Sequence, residues 1–248
     1  MHKPSPVNTL TLMLMCALTG ISACKETPQP MDLALHPRAR AAAQRVRPAL
    51  EHDLKAAGLE FGSPILLRAF KEELLLELFV LNPKSQSFHL FRSYPIAAAS
   101  GALGPKLLEG DGQVPEGFYQ VPASAMKPDS RYHLAFNIGY PNAHDRALGR
   151  TGSLIMVHGN RVSIGCLAMT DEKIEEIYTL AAAALGRGQA AFEVQVYPFR
   201  MTDERMVKVR GSVWEGFWSN LKEGYDRFEK TRKPARVSVR GGRYEFRE

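Results

Sequence analysis

From Pro64 onward the apolar positions fall into short runs that mostly alternate with polar ones, a period that predicts strands over residues 65–70, 74–81 and 88–94. In the second of these, Leu74, Leu76, Leu78 and Val80 share one face. The same pattern predicts further strands over residues 117–121, 133–138, 153–158 and 192–197. The period then changes. Ile174, Ile177, Tyr178 and Ala181 recur at helical spacing, with Thr170 and Asp171 in the capping positions and Gly186 as the stop. Many short strands around one main helix imply a mostly β fold with α elements, an antiparallel sheet or β-sandwich core.

Both flanks differ from this middle. Upstream, Ala42, Ala43, Val46, Leu50 and Leu54 predict a helix that Pro48 should kink or interrupt, read here as a spacer within residues 24–62. Downstream, Trp214, Phe217, Trp218, Leu221 and Phe228 predict a helix packed on the core, and Gly241-Gly242 predicts a hairpin turn. Residues 199–248 are therefore expected to form a C-terminal extension on a catalytic domain of residues 63–198.

Residues 10–18 form an apolar run after Lys3, too short to span a bilayer but suited to a signal peptide covering residues 1–23. Ile21-Ser22-Ala23-Cys24 resembles a bacterial lipobox, which makes Cys24 the expected lipidation site and the membrane a partner through that anchor. Of the three cysteines, Cys16 leaves with the signal and Cys24 carries lipid, so Cys166 has no disulfide partner. An unpaired thiol in an oxidising envelope calls for a chemical role.

That role has a candidate base eight positions away, His158, across a turn containing Gly159, Ser163 and Gly165. A cysteine attacks as thiolate, and a nearby histidine or helix N-terminus lowers its pKa from about 8.5. The amides from Gly165 to Leu167 are candidate oxyanion donors. Zinc is disfavoured by the ligand spacing and no cofactor is expected; His133 and His144 are read as structural.

His158-Gly159 followed by Ser163-Ile164-Gly165-Cys166 resembles the signature of the L,D-transpeptidase catalytic domain (YkuD-like) family of bacterial cell-wall enzymes. The resemblance takes in Gly104-Pro105-Lys106, residues 109–112 and 115–119, and Asn137 to Asn142, and covers about residues 63–245. It is greatest to the branch that hydrolyses the bond between Braun-type lipoprotein and peptidoglycan, through Cys166 to Thr170 and Tyr197 to Asp203. Relatives that form cross-links usually carry a second histidine where this chain has Ile164, and a longer loop after His-Gly. The resemblance implies a β-sandwich catalytic core, Cys166 as nucleophile, His158 as base oriented by a backbone carbonyl, and peptidoglycan stem peptides as substrate. A transpeptidase, or a non-catalytic wall-binding lipoprotein, would present the same motifs.

Stem peptides carry free carboxylates, which makes Arg146 and Arg150, with Tyr140 and Asn142 beside them, candidate substrate contacts. The net charge of +6 is uneven: residues 199–248 hold 13 Lys/Arg against 8 Asp/Glu, a basic tail compatible with an anionic wall or membrane surface. The export signal and the lack of a basic recognition helix exclude nucleic acid as the expected partner.

Overall fold

The structure is a computed structural model that describes residues 1–2 and 36–247. Residues 3–23 of the predicted signal peptide and Cys24 lie outside the described residues. Among the described residues no helix is long and apolar enough to cross a membrane.

The first sheet has the order β3 (Ser87–Pro95), β2 (Leu75–Asn82), β1 (Ile65–Phe70), β10 (Ala191–Tyr197) and β5 (Gly117–Pro122). Its neighbours are antiparallel except β1 and β10, which run parallel with Leu66 level with Glu193 and Phe70 level with Tyr197. The second sheet has the order β4 (Ala98–Ala99), β9 (Leu167–Ala168), β8 (Met156–His158), β7 (Ala135–Asn137) and β6 (Met126–Lys127). Here β8 and β9 are the parallel pair. The sheets are thus mixed, with helices packed on them.

One core joins the two sheets. Leu67, Ala69, Leu76, Leu78, Val80, Phe192, Val194 and Val196 from the first meet Met126, Phe136, Val157 and Leu167 from the second, with Phe136 and Phe192 edge to face at 5.2 Å. The main helix, α3 (Asp171–Gly186), adds Ile174, Ile177, Leu180 and Ala181 to the same core. Its predicted limits hold, but Thr170, at φ +77°, makes no side-chain cap. Asp171 instead accepts a hydrogen bond from the Asn160 amide at 2.7 Å, tying the helix start to the turn after His158.

Three expectations are corrected. Pro48 lies inside an uninterrupted helix, α1 (Pro37–Ala56). That helix is not a stand-off spacer: Ala39, Ala42, Leu50 and Leu54 are buried in the main core, and Arg45 pairs with Glu175 of α3 at 2.5 Å. Leu74 does not share the core face of β2 but sits half-exposed in a turn at φ +47°.

The C-terminal extension explains why β1 is buried at every position. Its inner side chains face the main core, while the outer ones lie under α5 (Glu215–Thr231) and the hairpin β11–β12 (Arg236–Arg240, Arg243–Arg247). Leu66 and Phe79 meet Phe228, and Phe70, Phe118 and Tyr197 meet Trp218, Leu221, Tyr225 and Tyr244. A strand covered on both faces reads as a continuous apolar run. The exception is Arg68, fully buried, with Nη1 on Glu229 at 2.5 Å and its guanidinium 4.3 Å from the Tyr225 ring centroid. A buried cation needs such a partner, so this pair fastens α5 to the sheet.

Candidate active site

Residues 153–155, predicted to begin the histidine strand, form no regular structure; only β8 does, and Leu154 is left exposed at φ +53°. His158 ends β8 and is 2 % exposed. Its Nδ1 lies 2.6 Å from the Gly159 carbonyl, an acceptor that fixes the proton on Nδ1 and leaves the Nε2 lone pair free. Burial pushes the imidazole pKa down, and the Gly159 carbonyl acts against that shift. The histidine is therefore neutral at rest, as a general base must be.

The parallel pairing of β8 and β9 sets Val157 beside Leu167 and His158 beside Ala168, bringing Cys166 to the strand that carries the histidine. The Met156 amide donates to Cys166 Sγ at 3.4 Å, and the thiol points to the Leu154 carbonyl at 3.8 Å. Among the described residues no hydrogen bond joins His158 to Cys166. Burial pushes the thiol pKa up, with the Met156 amide and the Lys106 charge pulling it back. The thiolate expected from the sequence is thus not the resting state: desolvation outweighs the neighbouring donors. At rest the two side chains are thus a protonated thiol and a neutral imidazole.

The turn carrying Cys166 is held by two serine hydroxyls. Ser163 Oγ accepts from the Cys166 amide at 3.0 Å and donates to the Cys166 carbonyl at 2.5 Å. Ser100 Oγ accepts from the Gly165 amide at 2.5 Å and donates to the Gly112 carbonyl at 2.7 Å. The expected oxyanion donors at Gly165 and Cys166 are therefore engaged at rest, and Leu167 is buried in β9 between Ala99 and Val157. Gly165 takes φ +84°, a conformation glycine adopts freely.

The segment touching this turn is tied down at its base. Lys71 Nζ donates to the carbonyls of Gly104 and Val114 at 2.7 and 2.9 Å and to Glu116 at 3.0 Å, and Trp218 Nε1 donates to Glu116 at 2.8 Å. Within it, partial desolvation acts to raise the pKa of Asp111, but Lys106 and the amides of Leu108, Gln113 and Leu107 hold it at about 2.

The four candidate substrate contacts lie on another element, α2 (Ala143–Ala147), and the segments on either side of it. Asn142 caps α2 reciprocally with Asp145 and donates to the Phe118 carbonyl and the Tyr244 hydroxyl. Arg150 is 8 % exposed and ion-paired with Asp145 at 2.8 Å. Its carboxylate-binding capacity is spent internally. Tyr140 is buried and donates to the carbonyls of Lys106 and Thr151 at 3.1 and 3.2 Å; Arg146 is exposed and donates to the Pro141 carbonyl. These residues brace the fold around the site. His144, on the same helix, lies against Tyr244 at 4.2 Å, and burial, aided by Arg150, lowers its pKa to about 4. His133 pairs with Glu175 at 2.7 Å.

Sequence reading missed Ser100 and Tyr132. Ser100 is 65 positions from its partner Gly165, and the Tyr132 ring lies 4.8 Å from the His158 ring at 34°. Neither residue belongs to a local motif. Among the described residues no group of three or more His, Cys, Asp or Glu is placed to hold a metal.

Comparison with known proteins matches residues 79–209 to the L,D-transpeptidase catalytic domain, YkuD. The chain is 51 % identical over 183 residues to "Putative L,D-transpeptidase YafK" of Escherichia coli K12, and equally to that of strain O157:H7, covering 74 % of each chain. Among solved structures, it is similar to the helical cell shape determining protein Pgp2 from Campylobacter jejuni, at TM-score 0.43 and 18 % identity, over 75 % of this chain and 79 % of that one. Bd1075 of Bdellovibrio bacteriovorus gives TM-score 0.40 and 20 % identity over 67 % and 58 %. At those scores the structural likeness adds nothing to the assignment, which rests on the matched domain and the identity to the Escherichia coli proteins: the chain belongs to the L,D-transpeptidase catalytic domain family.

Proposed function

We propose that the protein hydrolyses the amide between the L-centre of meso-diaminopimelate in a peptidoglycan stem peptide and the side-chain amine of a lysine at the end of a Braun-type lipoprotein. The observation that carries the chemistry is His158: neutral, oriented by the Gly159 carbonyl through Nδ1, on the strand beside the one that Cys166 leads. Nε2 accepts the thiol proton as Sγ attacks the carbonyl. Collapse of the tetrahedral intermediate breaks the C–N bond, and His158 returns the proton to the leaving amine. A thioester remains on Cys166. Water, deprotonated by the same imidazole, then attacks it, releasing a carboxylic acid and the thiol.

For the oxyanion, substrate must displace a serine hydroxyl from the Gly165 or Cys166 amide. Hydrolysis rather than cross-linking is supported by the short His158-to-Cys166 connection and by Ile164, 86 % exposed, where cross-linking relatives usually carry histidine. The protein then acts on the periplasmic side of the envelope, anchored through lipid on Cys24. The name of the Escherichia coli relatives favours a second reading, transpeptidation, in which an amine takes the place of water.

The test is incubation of the full chain in detergent with two muropeptides, one bearing Lys-Arg on diaminopimelate and one a plain tetrapeptide, followed by mass spectrometry beside Cys166→Ala. Release of Lys-Arg with addition of water is expected. Cross-linked dimers or exchanged terminal residues would replace hydrolysis by transpeptidation, and no turnover of either substrate would leave a wall-binding protein.

A further inference from the structure

We infer that Tyr132 is a positioning residue for the catalytic histidine, walling the His158 imidazole from solvent, and that the N-terminal helix α1 holds it there through Arg38. This rests on the assignment of His158 as the base.

Tyr132 lies in the loop between β6 and β7. The residue is 46 % exposed, and its ring lies against the His158 ring with centroids 4.8 Å apart. The backbone is wedged as tightly as the ring. A Cβ on Gly159 would stand 2.8 Å from the Tyr132 carbonyl and 2.5 Å from Asp171 Oδ1, so only glycine lets the loop close onto the histidine turn.

The loop does not hold this position by its own sequence. His133, directly after the tyrosine, sits at φ +68°, a left-handed conformation that strains a residue with a β-carbon and persists only where its surroundings enforce it. The enforcement comes from two helices. Arg38, in the first turn of α1, donates from Nη1 to the carbonyls of Ser130 and His133, each at 2.6 Å. Glu175 of α3 accepts from His133 at 2.7 Å and also receives Arg45 of α1. The two bonds from Arg38 thus bracket Tyr132, fixing the residues on either side of it.

The consequence falls on His158. Its pKa is lowered by burial, and the Tyr132 ring supplies part of that burial. Among the described residues, the titratable and charged groups around the histidine turn are Arg161 of the turn itself, Asp171 from the start of α3, Cys166 beside β8, and His133 in the tyrosine's own loop. None contributes to the shift, which comes from desolvation opposed by the Gly159 carbonyl. Removing the ring therefore lets water reach the imidazole and raises its pKa toward the ordinary value of about 6.5. The base would then be protonated over a wider acid range.

The experiment is NMR titration of the His158 ring in the full chain, for the parent, Tyr132→Phe, Tyr132→Ala and Arg38→Ala, with the pH dependence of Cys166 alkylation measured in parallel. Neither readout needs a peptidoglycan substrate, so a negative result here is separable from a wrong choice of leaving group. The expected result is a raised His158 pKa in Tyr132→Ala and a smaller rise in Arg38→Ala, with Tyr132→Phe unchanged because the ring is kept. An unmoved pKa in Tyr132→Ala would overturn the shielding role. A shift there without one in Arg38→Ala would overturn the part assigned to α1. Thermal melts guard against misfolding; should Tyr132→Ala melt early, Tyr132→Leu tests the same point with the bulk partly restored, and an unmoved pKa there counts equally against the role.

Discussion

In the first sheet, strands of six to nine residues are largely covered, by the common core on one face and by α5 and the C-terminal hairpin on the other. In the second, strands of two or three residues, one of which ends in His158, alternate with loops that carry Cys166 and Tyr132. Of the non-glycine residues with positive φ, His133, Leu154, Asn160 and Thr170 all lie within these loops. The first sheet obtains its geometry from apolar burial; the second shares the common core, and its loops are fixed by single hydrogen bonds to Ser100, Ser163, Arg38 and Asp171. Backbone held away from its preferred regions belongs where a site must be shaped, and it needs a rigid body to lean on.

Substitutions in the two regions should therefore separate activity from stability. The largest effect is at the second sheet: Cys166→Ala is expected to abolish turnover and His158→Ala to cut kcat/KM by about 10²–10⁴-fold, with melting curves close to the parent's. Muropeptide turnover beside differential scanning calorimetry checks both. Residual turnover by Cys166→Ala would move the nucleophile elsewhere.

In the first sheet the signs reverse. Phe228, 1 % exposed and edge to face with Phe79 at 5.1 Å, joins α5 to the strands. Phe228→Ala should cost about 3–5 kcal/mol of stability in urea unfolding, while the folded fraction keeps the parent's pH dependence.

A finer test concerns the resting protonation of the pair. With the thiol pKa raised and the imidazole pKa lowered, the thiol form dominates near neutrality. Alkylation of Cys166 by iodoacetamide should keep rising with pH through and beyond about 8.5. A plateau reached below pH 7 would instead indicate a preformed thiolate and imidazolium. The smallest effect is predicted for Leu154→Ala: at 66 % exposure the side chain has little burial to lose, so stability should stay within about 0.5 kcal/mol.

What could be read from the sequence follows the same division. The strand predicted over residues 65–70 has the observed limits, and α3 begins and ends where its spacing and glycine imply. Both are long enough for periodicity to register. Cys166 and His158, the proposed nucleophile and base, stand in a local motif that the sequence displays, and the parallel β8–β9 pair brings their segments side by side. The two-residue strands β4, β6 and β9 are too short to have a period. The core role of α1 was hidden because Ala39 and Ala42 carry little apolar surface of their own and bury it against elements distant in sequence. Arg150 illustrates the converse: guanidinium chemistry named a carboxylate partner correctly in kind, but the carboxylate is Asp145 of the same chain. Ser100 and Tyr132 act through contacts made by folding alone, on which local spacing is silent.

The central claim is a thioester on Cys166 that water resolves. It is tested most directly by mixing enzyme with the Lys-Arg muropeptide, quenching in acid at early times, and measuring intact mass followed by peptide mapping. The expected result is a transient adduct of the acyl fragment on Cys166, removed by hydroxylamine and absent from Cys166→Ala. Turnover with no adduct at any time, together with activity retained in Cys166→Ala, would contradict it.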